Sequence, residues 1–191
     1  MKRLLFTMCF FASTSVLGLE LRSDGIGTLN LVYGMPISKE LLQFKFPSYG
    51  VTHEIRSGDS NDFHYLEVSK SDEVMFYVIS YIEEETVGNE FPIHLLAVVS
   101  PKIQDEYGLR VGDSFSDVSV KRNEELHFGA GHHHNYLGNS QIFYNFISLE
   151  PTGFTKEIGL SYMPPEDATI GDMVEQNPKI EKISWPFPAW E

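Results

Sequence analysis

Residues 62–82 constrain the fold more than any other stretch. Asp62 to Ser69 and Val74 to Ile82 are two strand-patterned runs. The polar residues Lys70-Ser71-Asp72-Glu73 between them read as a hairpin turn. Val74-Met75-Phe76-Tyr77-Val78-Ile79 is apolar at consecutive positions, so both of its faces need cover. That places the run in the middle of an antiparallel sheet, with its own hairpin partner on one side.

Further strand signals surround it. Gly25 to Leu31 is a short alternating segment, and Val51 to Arg56 is another, closed by Ser57-Gly58-Asp59. Ile93 to Val99, the aromatic-rich Gln141 to Ser148 and Lys179 to Trp185 complete the set. Helix signals are fewer. Ser38 can cap a helix starting at Lys39, with Ile37 and Leu42 as a hydrophobic staple and Pro47 as the stop. Ser114 and Asp117 have capping-box spacing, with Asp in place of the usual Glu or Gln. Pro165 to Val174 reads as a third short helix. The expectation is one α+β domain, a mostly antiparallel β-sheet with two or three short helices. The stretch from Gly25 to the Ser38 helix echoes the stretch from Gly108 to the Ser114 helix, so two similar halves are an open alternative.

The start of the chain carries an address. Met1-Lys2-Arg3 is basic, Leu4 to Ala12 is an apolar run, and smaller residues lead to Gly18. That order reads as a secretory signal peptide over 1–18, cut near Gly18, with a cut after Ser15 as second choice. Residues 19–191 then form the single domain, and Cys9, the only cysteine, leaves with the leader. A lipid anchor is not expected, because Phe6-Thr7-Met8 before Cys9 are not the small residues a lipobox needs. No later run reaches the ~18 apolar residues of a transmembrane helix. The predicted location is periplasmic or secreted.

Charge excludes some partners. The chain has 14 Lys+Arg against 27 Asp+Glu, a net −13 with His neutral. Losing Lys2 and Arg3 makes the mature domain more acidic still. Such a surface repels nucleic acid and anionic lipid. It suits solubility, a cationic partner or a divalent metal.

Five features could carry chemistry. Gly112-Asp113-Ser114 resembles the nucleophile block of one esterase class, but that chemistry needs a late histidine base. No histidine follows His134, so Asp113 and Ser114 read as turn and cap residues, and no enzyme is expected. His132-His133-His134 follows Gly129-Ala130-Gly131. In an extended segment His132 and His134 share one face about 7 Å apart. They could hold Zn or Cu, with His127 or Glu125 as third ligand. A solvated loop that binds metal only adventitiously is the competing reading. His53, His64 and His94 sit singly in strand patterns and read as packed or surface residues. Glu83-Glu84-Glu85 reads as a solvated loop, lacking the spaced oxygen ligands of a calcium site. The aromatic end, Trp185 to Trp190, reads as a cover over an open edge of the core, with an exposed partner motif as the alternative.

Several blocks form an ordered set: Gly25-x-Gly27-x-Leu29, Gly108-x-x-Val111-Gly112-x-x-Phe115-Ser116-Asp117, Ile142-x-Tyr144-x-Phe146, Met163-Pro164 and Ile180-x-Lys182-Ile183-x-Trp185. The set resembles the envelope-stress (sigma-E) regulated bacterial lipoprotein family, a domain of unknown function. The resemblance implies an exported bacterial domain linked to envelope maintenance. It transfers no catalytic residue, since the family has no established activity. The lipoprotein member anchors through a cysteine and has two further cysteines where this chain has the 127–140 histidines, so neither feature carries over. The matched residues also have a physical reading as turn glycines (Gly108, Gly112) and core aromatics (Phe115, Tyr144, Phe146, Trp185).

The leading functional expectation is a non-enzymatic binding or structural domain of the envelope, with an envelope protein or cell-wall component as partner. The alternatives are a metal-binding protein using His127, His132 and His134, and an acidic inhibitor of a cationic cell-wall hydrolase such as a lysozyme.

Overall fold

The two strands of the hairpin lie side by side as expected, joined by Ser71 and Asp72, both at positive φ (52° and 65°). Two left-handed residues in a two-residue loop match the twist of the strands they join. The computed structural model describes residues 19–23, 25–26, 31–58, 61–82, 89–124, 141–146 and 170–185. In chain order the strands are β1 (Glu20–Arg22), β2 (Gly25–Ile26), β3 (Pro36–Ile37), β4 (Gly50–Arg56), β5 (Phe63–Lys70), β6 (Glu73–Tyr81), β7 (Phe91–Pro92), β8 (Leu95–Val98), β9 (Gln104–Asp105), β10 (Phe143–Phe146) and β11 (Ile180–Trp185). The helices are α1 (Lys39–Lys45), α2 (Phe115–Arg122) and α3 (Ile170–Gln176). This is an α+β fold.

The main sheet has six strands in the order β10-β11-β8-β6-β5-β4, and every neighbouring pair is antiparallel. Its register builds one row across all six strands: Val51, Val68, Phe76, Val98, Ile183 and Tyr144. All six are buried. A second row on the same face runs His53, Leu66, Val78, Leu96 and Trp185. Its four apolar members are buried, while His53 at the edge is exposed. Burying each large apolar side chain contributes roughly 1.5–3 kcal/mol. The opposite face is covered toward β11 and β10, where Ala97, Ser184 and Phe143 are buried. That explains the two-faced apolar character of β6.

The helices pack where local signals put them. Ser38 caps α1 by accepting from the Leu41 N–H at 3.1 Å, and the staple residues Ile37 and Leu42 are both fully buried. Helix α1 ends at Lys45, before Pro47. Helix α2 carries the full capping box. The third helix is described over Ile170–Gln176, two residues beyond the predicted end at Val174; residues 165–169 of the predicted span lie outside the described residues.

One strand prediction needs correction. Gly25 to Leu31 is not one continuous strand: among its described residues Gly25–Ile26 form a strand and Leu31 does not, and residues 27–30 lie outside the described residues. Gly25 has φ +130° and a Cβ there would stand 2.0 Å from the Leu31 carbonyl oxygen, so the chain folds back on itself. The internal echo is visible locally. β1 pairs antiparallel with β2, Gln104 of β9 bridges antiparallel to Arg110, and β1 and β9 lie parallel to each other. Each short hairpin leads to a serine-capped helix.

Candidate functional site

Two positions on the polar edge of the main sheet come together through register alone. His53 on β4 faces Leu66, and His64 on β5 is two residues away, so both project on the core face. Their rings meet, with His53 Nε2 3.0 Å from His64 Nδ1. Phe91 of β7 lies flat on His64, with 3.5 Å between ring centroids and 19° between planes. His53 is exposed and His64 is buried, so the pair opens to solvent on one side only. Burial, and then the neighbouring His53, pushes the His64 imidazole below the usual histidine range. On the other side of His64 stands its register partner Ser80, fully buried. The Ser80 hydroxyl has no hydrogen-bond partner among the described residues.

Next to this pair the sheet edge is aromatic. His94 donates its backbone N–H to the Ile79 carbonyl at 3.0 Å and accepts the Tyr81 N–H on Nδ1 at 2.9 Å. The side chain thus continues the β6 ladder past the end of β8. With Nδ1 accepting, the neutral ring carries its proton on Nε2. Tyr81 stacks on His94 (5.5 Å, 23°), Tyr33 tilts against it (5.9 Å), and Phe63 meets Tyr81 edge-on (6.4 Å). Tyr33 is 61% exposed and Tyr81 44%.

A second polar constellation lies in the core. Asp105 Oδ1 accepts the N–H groups of Tyr107 (2.9 Å) and Leu109 (2.8 Å), and Oδ2 accepts the Tyr144 hydroxyl at 2.5 Å. Arg122 Nη1 donates to the Tyr144 oxygen at 3.0 Å, Arg122 pairs with Glu124, and its guanidinium lies 3.9 Å above the Tyr107 ring. Burial raises the Asp105 carboxyl above its ordinary value, against the pull of its three donors and Arg122's charge. Burial and the adjacent Asp105 push the Tyr144 phenol far above the ordinary tyrosine value. Each group holds the next, which locks β9, β10 and α2 together.

The sequence-predicted site residues divide as follows. Ser114 sits at the α2 N-cap: its Oγ accepts the Asp117 N–H at 3.3 Å, and Asp117 Oδ2 accepts the Ser114 N–H at 2.8 Å. Asp113 accepts the Arg110 N–H at 3.1 Å, and so holds a turn. His127, His132 and His134, with Glu125 and the Zn or Cu proposed for them, lie outside the described residues. So do residues 1–18, expected as a signal peptide, Glu83-Glu84-Glu85 and the segment after Trp185. Trp185 itself is buried, with Nε1 donating to the Ser23 carbonyl at 2.8 Å. Sequence reasoning treated His53 and His64 as separate; the structure pairs them. The available signal was two histidines flanking a short polar connection between two strand patterns. The Asp105–Tyr144–Arg122 network left no local sequence signal.

The layout defines an α+β protein built on a six-stranded antiparallel sheet, and among the described residues no site assigns an activity. Its fold is similar to the crystal structure of the uncharacterized protein yfeY from Escherichia coli, at 22% identity and a TM-score of 0.54, over 87% of this chain and 99% of that one. No protein-family model and no curated protein matches the sequence. No described helix is long and apolar enough to cross a membrane.

Proposed function

We propose that this chain is an exported protein of the bacterial cell envelope that acts by binding an envelope component rather than by catalysis. The observation that carries the reading is the aromatic edge of the sheet. Tyr33 and Tyr81 stand exposed on either side of His94, with Phe63 continuing the row. Clustered exposed aromatics are costly to leave in water and mark contact surfaces. The polar groups that an enzyme reading would recruit are engaged elsewhere: Ser114 caps a helix, and Asp105, Tyr144 and Arg122 hold one another. The basic-then-apolar start and the resemblance to the envelope-stress family support the envelope as its compartment.

Two measurements test this. Fractionation of cells making the full chain, followed by N-terminal sequencing, should find a soluble exported protein beginning at Leu19. An uncut chain in the cytoplasm overturns the export. Co-sedimentation of the mature protein with peptidoglycan sacculi and with outer-membrane fractions should be lost in Tyr33→Ser/Tyr81→Ser. Sedimentation equal in wild type and variant removes the aromatic edge as the contact surface.

A further inference from the structure

We infer that His53 and His64 form a two-histidine binding site for a borderline divalent transition-metal ion, copper(II) or zinc(II), distinct from the 127–134 histidines and independent of the binding role proposed above. Imidazole nitrogens bind such ions at about 2.0–2.1 Å, so two cis ligands stand about 2.8 Å apart at a square-planar angle and about 3.4 Å apart at a tetrahedral one. The observed 3.0 Å between His53 Nε2 and His64 Nδ1 falls inside that range. In the hydrogen bond between them one of the two nitrogens carries the proton, so chelation needs that proton to move to the ring's other nitrogen, while the separation changes by only a few tenths of an ångström. The rings are held in place by what surrounds them. Phe91 stacks on His64, and it also contacts the His53 ring at 5.3 Å. Both histidines sit on rigid neighbouring strands rather than on a loop, which fixes the bite.

Two further observations fit. A ligating histidine almost always donates its second ring N–H to an acceptor, and this second partner fixes the ring. Ser80, directly across the strand pairing from His64, is a fully buried hydroxyl without a partner among the described residues. A hydroxyl without another engagement on the neighbouring strand is a candidate for that acceptor. Exposed His53 leaves an approach from solvent, and the net charge of −13 draws cations to the protein. Among the described residues no group of three or more His, Cys, Asp or Glu gathers at one point. The remaining coordination positions therefore fall to water or to a donor from solution, and the site is an open one.

Copper(II) is the probe of choice, because it binds nitrogen donors more tightly than zinc does and reports its ligands by paramagnetic resonance. The background is the protein with His127, His132, His133 and His134 all changed to Ala. It should bind one copper(II) and show imidazole nitrogen coupling. His53→Ala in that background removes an exposed ligand without touching the core, and His64→Phe removes the second while keeping a ring against Phe91. Each should weaken copper(II) binding at least tenfold while the circular dichroism spectrum stays native. A loss smaller than tenfold in natively folded His53→Ala overturns the site, as does a background protein that binds no copper(II).

Discussion

The Tyr144 hydroxyl reaches Asp105 Oδ2 at 2.5 Å across 39 residues of sequence. Tyr144 also ends the apolar row that crosses the main sheet, so one side chain belongs to the core by its ring and to a polar network by its oxygen. The three-stranded sheet, through β9, is tied to the six-stranded one at this point.

Tyr144→Phe should therefore destabilise without creating a cavity. The ring stays, but Asp105 loses one donor and Arg122 Nη1 loses its acceptor. Leaving buried polar partners unmet costs about 1–3 kcal/mol for each group. Chemical denaturation should show a lower midpoint with an unchanged slope. A double-mutant cycle with Asp105→Asn should show strong coupling; additive losses would mean that the bond contributes nothing of its own.

Alkaline pH should loosen the domain through Tyr77. Burial, then Tyr65 and Glu181, raises its phenol from the ordinary 10.0 to about 12. A phenol that ionises less readily in the folded state stabilises fully below its unfolded value of about 10, and that contribution is lost as pH rises through about 12. Urea midpoints should fall between those limits. Tyr77→Phe should shrink the fall but not abolish it, because Tyr144 is shifted in the same direction. A Tyr77→Phe profile identical to wild type would refute the assignment.

Ser114→Ala tests cap against nucleophile. As the N-cap of α2, Ser114 is expected to contribute about 1 kcal/mol. The variant should unfold at lower denaturant, while ester hydrolysis by the purified protein is the same with and without the substitution. A hydrolytic activity that disappears with the hydroxyl would restore the enzyme reading.

The turn of the β5–β6 hairpin is improvable. Ser71 and Asp72 both occupy left-handed backbone, where asparagine and glycine fit better. Ser71→Asn/Asp72→Gly should stabilise by about 0.5–1 kcal/mol, since relief of strain outweighs the added freedom of glycine in the unfolded chain. Thermal unfolding measures it; a lower midpoint would mean that the native turn depends on the Asp72 side chain.

What the sequence made legible was local. The Ser38 and Ser114 caps each involve residues three apart, and the hairpin turn lies between two runs whose patterns announce their partner. The third helix runs two residues past the predicted end at Val174, because no proline or glycine in 170–176 beyond Gly171 marks its stop. The Gly25 segment looked like a strand because alternation does not reveal a backbone that must approach Leu31. The His53–His64 pair and the Asp105–Tyr144 bond depend on which strand residue faces which. A one-residue slip of β4 against β5 would send the two imidazoles to opposite faces. No local pattern states that register.

The place of β11 has a consequence for the order of events in folding. Among the described strands β11 is the latest in sequence, yet it lies inside the sheet, between β8 and β10, and Trp185 binds the Ser23 carbonyl 162 positions earlier. Until residues 180–185 have been made, β8 and β10 both lack the strand that joins them, and the Ser23 carbonyl lacks its indole donor. A chain broken off before residue 180 cannot complete this part of the core.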